Sequence, residues 1–143
     1  MLNPEYSQII DNLYLGSYHG LYESSWKSLG VTHVISVTPE DETPWRAPAK
    51  CGHTRIPMTF KMTTEDLMLA AHKVVDLIHD LLDRKEFVYI HCYEGVSRSA
   101  FCVVAYLNIY KNIPKCDAHN YVKIKREAVK LNDRMLECLE GLP

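Results

Sequence analysis

The sequence lacks any hydrophobic run of the roughly 20 residues that a membrane-spanning helix requires. It also lacks a strong excess of charge, since 16 basic and 18 acidic side chains give a formal net charge of −2. Such a balance provides no general electrostatic attraction to nucleic acid or to an anionic membrane surface. We therefore expect neither a nucleic acid nor a membrane as the partner of this chain.

The five cysteines form no C-x-x-C pair and no regular disulfide framework. Free thiols persist in reducing compartments, so this pattern favours the cytoplasm, with the nucleus as an alternative. The seven histidines include no H-x-x-x-H or H-E-x-x-H pattern, and we predict no metal and no cofactor. Cysteine often serves as a small apolar core residue, and this role is predicted for Cys51, Cys102, Cys116 and Cys138.

No repeat or low-complexity tract divides the 143 residues, and this length fits one domain over 1–143. Apolar and β-branched runs predict strands, whereas apolar residues at helical spacing predict helices. Strands are predicted at 7–10, 13–15, 31–37, 53–58 and 87–90, and helices at 17–29, 67–82, 100–110, 114–126 and 131–139. This alternation predicts an α/β fold with a central, mainly parallel, twisted sheet flanked by helices.

The segment HCYEGVSRS, residues 91–99, lies between the predicted strand 87–90 and the predicted helix 100–110. A loop in this position directs backbone N–H groups and the positive end of the helix dipole toward one point, where a phosphate dianion binds. Gly95 permits a backbone conformation that a side chain resists. Arg98 supplies a planar fork for two phosphate oxygens. The segment therefore predicts a phosphate-binding loop.

Cys92 stands at the mouth of this loop, where the positive field favours the thiolate, the reactive form of cysteine. A thiolate facing a bound phosphoryl group is a nucleophile for in-line attack. Arg98 and the loop N–H groups would stabilise the charge of the transition state. Ser99 is predicted to donate a hydrogen bond to the sulfur, and His91 is predicted to orient the loop rather than to act as a base.

The segment HCYEGVSRSA resembles the H-C-x-x-G-x-x-R-S signature of cysteine-dependent protein phosphatases, most closely that of the small dual-specificity phosphatases. IIDNLYLGS and LGVTHVISV resemble the opening elements of that family, and AHNYVKIKREAVKLNDRMLECL resembles its closing helices. The resemblance implies a catalytic domain over 1–143 whose shallow pocket accepts phosphotyrosine, phosphoserine and phosphothreonine of phosphoprotein substrates. It implies that Cys92 is the phosphocysteine nucleophile, that Arg98 is the phosphate clamp, and that Ser99 is the thiolate partner. It assigns the N–H cradle to Tyr93, Glu94, Gly95, Val96 and Ser97.

The general acid of the family is not in its usual place in this sequence. Relatives carry an aspartate on the loop ahead of the long helix, whereas residues 59–64 contain no carboxylate. Asp66 is the candidate chosen for this role, although it and Glu65 also fit the acidic first turn of a helix. The acidic loop of Glu40, Asp41 and Glu42 is a second source. General acid catalysis contributes about 10²–10⁴-fold, so its absence predicts a bias toward phosphotyrosine and activated aryl phosphates.

Other interpretations stay open at this point. A missing acid also fits a weakly active or inactive phosphate-binding module. A phosphoinositide or an RNA 5′-phosphate is a further substrate class, although Glu94 would repel additional phosphates. Cys102 packs in the core or, alternatively, traps an oxidised nucleophile as a disulfide. One basic run is interpreted as a solvated helix face, with a docking patch for an acidic partner as the alternative: Lys123, Lys125, Arg126 and Lys130.

Overall fold

The computed structural model describes residues 4–23 and 25–143 and contains a five-stranded sheet. The strands are β1 (Tyr6–Ile10), β2 (Leu13–Gly16), β3 (His33–Ser36), β4 (Gly52–Arg55) and β5 (Val88–His91). The helices are α1 (Ser25–Ser28), α2 (Thr64–Asp83), α3 (Arg98–Lys111), α4 (Lys115–Lys125) and α5 (Asp133–Glu140), and a 3₁₀-helix spans His19–Tyr22.

The strand order β1-β2-β5-β3-β4 confirms the predicted mainly parallel sheet, because only the β1–β2 pair is antiparallel. The register aligns Gly16, His91, Ser36 and Arg55 across the last residues of four strands. The carboxyl ends of parallel strands meet at one edge of the sheet, which is where open α/β sheets bind ligands. The loops after β2, β3, β4 and β5 therefore converge there.

The two faces of the sheet carry different cores, as alternation along the strands requires. In β5, Val88 and Ile90 belong to the large core, whereas Tyr89 belongs to a smaller cluster with Trp26 and Val34. Helix α3 is buried over most of its length and packs against α2 and α4. A helix so fully buried fixes the position of the loop that precedes it.

Helix α2 begins where its sequence pattern indicates. Thr63 is the N-cap, and its hydroxyl accepts a hydrogen bond from the Asp66 N–H at 3.1 Å. Glu65 and Asp66 lie in the first turn, where acidic side chains complement the helix dipole. The predicted apolar stripe is buried at Leu67, Ala70, Ala71, Val74, Val75, Ile78 and Leu81.

The predicted helix over 17–29 is wrong, because a 3₁₀-helix and the short α1 replace it. Tertiary contacts engage the backbone at its start: the Ser17 N–H donates to the Glu5 carbonyl and the Tyr18 N–H to the Tyr93 carbonyl, both at 2.8 Å. A Cβ atom on Gly20 would lie 2.4 Å from the Tyr89 hydroxyl, so the chain passes too close for a regular helix with side chains. Ser24, in this stretch, lies outside the described residues.

Two of the four cysteines predicted for the core are buried, namely Cys102 and Cys138. Cys51 is only half-buried, and Cys116 is exposed on α4, so the prediction is wrong for Cys116. Along the described part of the chain, no helix combines the length and the apolar character that a membrane crossing requires.

Candidate active site

The segment predicted to bind phosphate forms the wall of a cavity of about 420 Å³ at the carboxyl edge of the sheet. Cys92 follows β5 directly, and α3 begins at Arg98. The loop lines the cavity with Cys92, Tyr93, Glu94, Val96, Ser97 and Arg98. Glu42, from the loop after β3, and Phe60, from the segment before α2, complete the lining. The strand–loop–helix arrangement expected from the sequence is therefore present.

The peptide groups of residues 93–97 all turn the same way. Five successive carbonyl oxygens accept hydrogen bonds from outside the loop or from the first turn of α3. The donors are the Tyr18 N–H to Tyr93, the Arg126 guanidinium to Glu94 and Gly95, the Lys130 N–H to Val96, and the Phe101 N–H to Ser97. None of the N–H groups of residues 93–97 donates to another described residue. Donors left free in this way form a concave anion site.

Gly95 is required by this backbone path. Its φ of +72° lies in the left-handed region that side chains disfavour. A Cβ atom there would lie 2.4 Å from the Gly16 carbonyl oxygen at the end of β2. The loop therefore rests directly on the neighbouring strand, with no room for a side chain.

Cys92 is buried, with 2% of its surface exposed, although it lines the cavity. Its sulfur lies 3.1 Å from the Ser99 hydroxyl oxygen, in the first turn of α3. The hydroxyl can donate a hydrogen bond to a thiolate, as predicted for Ser99. Cys102 lies one turn further along α3, where burial raises the pKa of its thiol and its sulfur contacts the Met58 sulfur at 3.5 Å. These contacts favour the core role of Cys102.

The Arg98 guanidinium is buried and donates to three acceptor atoms of two residues. Nη1 donates to Glu42 Oε1 at 3.0 Å and to the Met58 carbonyl at 2.9 Å, and Nη2 donates to Glu42 Oε2. The Phe60 ring lies over the guanidinium, 4.4 Å from its central carbon. The Arg98 Nε atom is buried with no hydrogen-bond partner among the described residues. A buried N–H without a partner is rare in folded proteins, and this one is available to a bound anion.

The His91 ring has both nitrogens engaged. Nδ1 donates to the Cys92 carbonyl at 2.8 Å, so Nε2 accepts from the Ser36 hydroxyl at 2.6 Å. Ser36 in turn accepts from His53 Nε2 at 2.8 Å, and His53 Nδ1 accepts from the Ala47 N–H at 3.4 Å. Burial, together with the nearby Arg55 and Arg98 guanidinium groups, lowers the pKa of His91 to about 4. His91 is therefore neutral at pH 7 and holds the backbone at Cys92.

Arg126 belongs to the site, which the sequence interpretation missed. Its Nε donates to the Gly95 carbonyl at 2.9 Å, and its Nη2 donates to the Glu94 carbonyl at 3.0 Å. Its Nη1 donates to the Pro4 carbonyl at 2.7 Å and to the Ser7 hydroxyl at 3.4 Å. Arg126 is 5% exposed. The side chain thus joins the loop that lines the cavity to β1 and to the residues before it.

The solvated-face interpretation of the basic run is therefore wrong for Arg126. Lys123, Lys125 and Lys130 are exposed, as that interpretation requires. Arg126 ends α4 as its C-cap and turns inward. A local pattern of charges cannot distinguish these cases, because the carbonyl groups that bind Arg126 come from distant segments.

The predicted acids lie in different places relative to the cavity. Asp66 is in the first turn of α2 and is not among the residues that line the cavity. Glu40 forms an exposed ion pair with Arg46 at 2.7 Å. Glu42 lines the cavity, but both of its oxygens accept hydrogen bonds from Arg98. Because both oxygens are engaged by the guanidinium, neither is free to carry a proton toward a leaving group.

Comparison with known protein families gives one match that covers most of the chain. The family model described as "Dual specificity phosphatase, catalytic domain" matches residues 13–140. The matched region includes every element from β2 to the end of α5 and therefore the whole of the loop that lines the cavity.

Individual relatives have the same character. The 123R protein of Invertebrate iridescent virus 6, named as a tyrosine phosphatase, is 32% identical, with 94% of this chain and 89% of that protein covered. Dual specificity protein phosphatase 14 of Mus musculus is 30% identical, with 88% of this chain and 63% of that protein covered. Some matched dual specificity phosphatases are longer, and the chain spans only 33% of their length. The crystal structure of human DUSP28 has the same fold, with a TM-score of 0.84 at 21% identity over 97% of this chain and 93% of that one.

Proposed function

The chain belongs to the dual specificity phosphatase family, and from this premise we propose that it dephosphorylates phosphoproteins through a phosphocysteine on Cys92, with phosphotyrosine as its best substrate. It is a cysteine-dependent protein phosphatase by family. We propose its substrate and the roles of its residues on the basis of the contacts around the cavity.

The orientation of the peptide groups at residues 93–97 is the observation that carries the proposal. Their carbonyl groups all have partners outside the cavity, whereas their N–H groups have none among the described residues. The N-terminus of α3 adds its dipole at the same point. This arrangement supports binding of a phosphate dianion directly in front of the Cys92 sulfur.

Arg98 supports the same conclusion through a count of its donors. A guanidinium has five N–H groups, and three of them bind Glu42 and the Met58 carbonyl. The two that remain are the Nε–H and the second hydrogen of Nη2, which are parallel along one edge of the group. Because Arg98 lines the cavity, we infer that this edge binds two phosphate oxygens.

The reaction follows in two steps. The Cys92 thiolate attacks phosphorus, the S–P bond forms, and the bond between phosphorus and the substrate oxygen breaks. Water then attacks phosphorus, and the S–P bond breaks to return the thiolate and release inorganic phosphate. The Ser99 hydroxyl, 3.1 Å from the sulfur, donates a hydrogen bond that stabilises the thiolate as it leaves. The loop N–H groups and Arg98 stabilise the equatorial oxygens in both steps.

The leaving group distinguishes phosphotyrosine from phosphoserine. Both oxygens of Glu42 are engaged by Arg98, and Glu94 is the other carboxyl group on the cavity lining. A phenolate departs as a stable anion, whereas a serine alkoxide requires protonation. Phe60 and Tyr93 are partly exposed at the cavity and offer apolar contact to an aromatic ring. We therefore place phosphotyrosine ahead of phosphoserine and phosphothreonine.

The test compares the wild type, Cys92→Ser and Asp66→Asn on aryl phosphates with graded leaving-group pKa values, followed by phosphotyrosine and phosphoserine peptides. We expect kcat/KM to decrease steeply as the leaving-group pKa rises, and phosphotyrosine to exceed phosphoserine by about 100-fold or more. Cys92→Ser should abolish turnover, and Asp66→Asn should leave it unchanged.

Three results would contradict parts of this proposal. A wild type as inert as Cys92→Ser would make the chain a phosphate-binding module rather than an enzyme. A flat dependence on the leaving group would show that a proton donor acts on the substrate. A large loss of kcat in Asp66→Asn would identify Asp66 as that donor.

A further inference from the structure

We propose that Glu42 is a positioning residue of the phosphate site, which holds the Arg98 guanidinium so that its free edge faces the bound phosphate. The inference rests on the proposed function, because it takes Arg98 as a phosphate ligand. It goes beyond that function by assigning a role to a residue of a different loop, 56 positions earlier in the chain.

The ion pair itself is built to be rigid. Both oxygens of Glu42 accept from the two terminal nitrogens of Arg98, so the carboxylate and the guanidinium are locked in one plane. The Arg98 side chain is 4% exposed and that of Glu42 is 34% exposed, so solvent screens the pair only in part. The Met58 carbonyl accepts the remaining Nη1 hydrogen from a third direction. These contacts leave the guanidinium no freedom to rotate.

The loop that carries Glu42 is itself fixed to the sheet. Arg55, the last residue of β4, donates to the carbonyls of Thr38 and Thr43 at 2.9 Å and to the Trp45 carbonyl at 3.2 Å. The same guanidinium donates to the Thr43 hydroxyl at 3.0 Å, and that hydroxyl bonds to the Thr38 hydroxyl. Hydrogen bonds from Arg55 therefore hold the loop that carries Glu42. A residue that fixes the direction of another side chain needs such a rigid support.

The hydrogen bonds between Glu42 and Arg98 show whether Glu42 orients Arg98 or blocks the phosphate position. If Glu42 occupied the phosphate position, it would engage the Nε–H edge, which is the edge suited to a ligand beside the Cys92 loop. Glu42 instead takes the opposite, terminal edge, and Nε stays without a partner among the described residues. A phosphate can therefore bind Arg98 while Glu42 remains in place. Without Glu42, the two free donors lose their alignment with the phosphate oxygens.

The experiment measures kcat, KM and direct binding of inorganic phosphate for the wild type, Glu42→Gln, Glu42→Asp and Glu40→Gln. Glu40→Gln is the matched control, since it removes one negative charge from the same loop without contact to Arg98. A misplacement of about 1 Å can cost about 100-fold in rate, so we expect Glu42→Gln to lower kcat/KM about 10- to 100-fold and to weaken phosphate binding. Glu42→Asp keeps the charge and should recover part of the loss, and Glu40→Gln should match the wild type.

A double-mutant cycle shows whether the effect passes through Arg98. Lysine has no planar fork, so Glu42→Gln should add little to the loss already caused by Arg98→Lys. An equal loss in both backgrounds would overturn the proposal, as would phosphate binding that is unchanged or tighter in Glu42→Gln. Thermal melting identifies the folded variants. If Glu42→Gln is unfolded, Glu42→Asp is used for the rate and binding measurements. Phosphate binding needs no turnover, so an inactive wild type would contradict the proposed function and still leave Glu42 tested.

Discussion

His91, the last residue of β5, takes part in a chain of hydrogen bonds with Ser36 and His53. Only one assignment of donors and acceptors satisfies every bond in this chain. Its Nδ1–H donates to the Cys92 carbonyl, and its Nε2 accepts from the Ser36 hydroxyl. A proton on Nε2 would remove the acceptor that Ser36 requires, inside a site with Arg98 and Arg55 close by. For this single residue, the histidine before Cys92 therefore contributes to the geometry of the backbone, and it makes the fold sensitive to acid.

This sensitivity gives a prediction for stability. The pKa of His91 is about 4 in the folded protein and 6.5 in an unfolded chain, so only the unfolded chain takes up this proton between those pH values. The free energy of unfolding should therefore decrease as pH falls from about 6.5 to about 4, by about 3 kcal/mol from this group. Denaturant unfolding at a series of pH values measures the change.

The comparison variant is His91→Asn, whose amide can still donate to the Cys92 carbonyl but does not titrate. The half-buried His33 and His53 also have pKa values lowered by burial and add to the acid sensitivity of both proteins. The difference between the two pH profiles therefore isolates His91. Parallel profiles for wild type and variant would show that His91 does not carry the effect.

Among the helices and strands, two groups of contacts hold the loop of residues 92–97. β5 and α3 fix its two ends, and Arg126, at the end of α4, binds the carbonyls in its middle. The position of α4 therefore decides which way the peptide groups at Glu94 and Gly95 face. A helix that carries no residue on the cavity lining still determines the shape of the anion site.

Arg126→Met tests this coupling, with the neighbouring Lys125→Met as control. The variant leaves the Glu94 and Gly95 carbonyls without partners, which costs about 1–3 kcal/mol for a buried group. Reorientation of the loop should lower kcat/KM on an aryl phosphate about 100-fold. Lys125 is exposed, and its ammonium lies 5.4 Å from the centre of the Tyr121 ring, so its replacement should change neither activity nor melting temperature. A lower melting temperature with wild-type activity in Arg126→Met would contradict the role in the loop.

At the scale of the whole molecule, the cavity combines one strongly positive point with two carboxylates. The net charge of −2 gives no long-range attraction for polyanions, and Glu42 and Glu94 both line the cavity. A substrate with a single phosphate satisfies the loop and Arg98. A second phosphate nearby meets negative side chains instead. We therefore expect phosphopeptides to be better substrates than phosphoinositides or RNA 5′ ends.

Phosphate release from matched substrates measures this preference. Each unfavourable charge pair at about 4 Å costs about 1 kcal/mol even in water, so a phosphotyrosine peptide should exceed a bisphosphorylated inositol lipid at least about tenfold in kcat/KM. Glu94→Gln should reduce the ratio of kcat/KM between the peptide and the lipid, and kcat/KM for the peptide should not decrease. Equal rates on lipid and peptide, or a lipid preference, would contradict the assignment.

Features that depend on neighbours in the sequence could be predicted from it. The cap at Thr63, the stripe of α2 and the strand–loop–helix around Cys92 all result from local spacing, and the structure has each of them. The helix predicted over 17–29 failed for the opposite reason. Its backbone is bound by Glu5 and Tyr93, which are distant in the chain, and such contacts override local propensity.

The α/β fold class could be predicted from the alternation of strand and helix patterns. The loop with its cysteine, arginine and serine could be predicted because nine consecutive residues place those side chains around one point. The residues that hold the loop and Arg98 in place depend on the packing of distant segments. Glu42 reaches Arg98 across 56 positions, and Arg126 reaches Gly95 across 31. Such pairs form because loops and helices pack against a common sheet edge. No local spacing in the sequence indicates which distant residues that packing brings together. The same packing placed Asp66 off the cavity lining and brought Glu42 onto it.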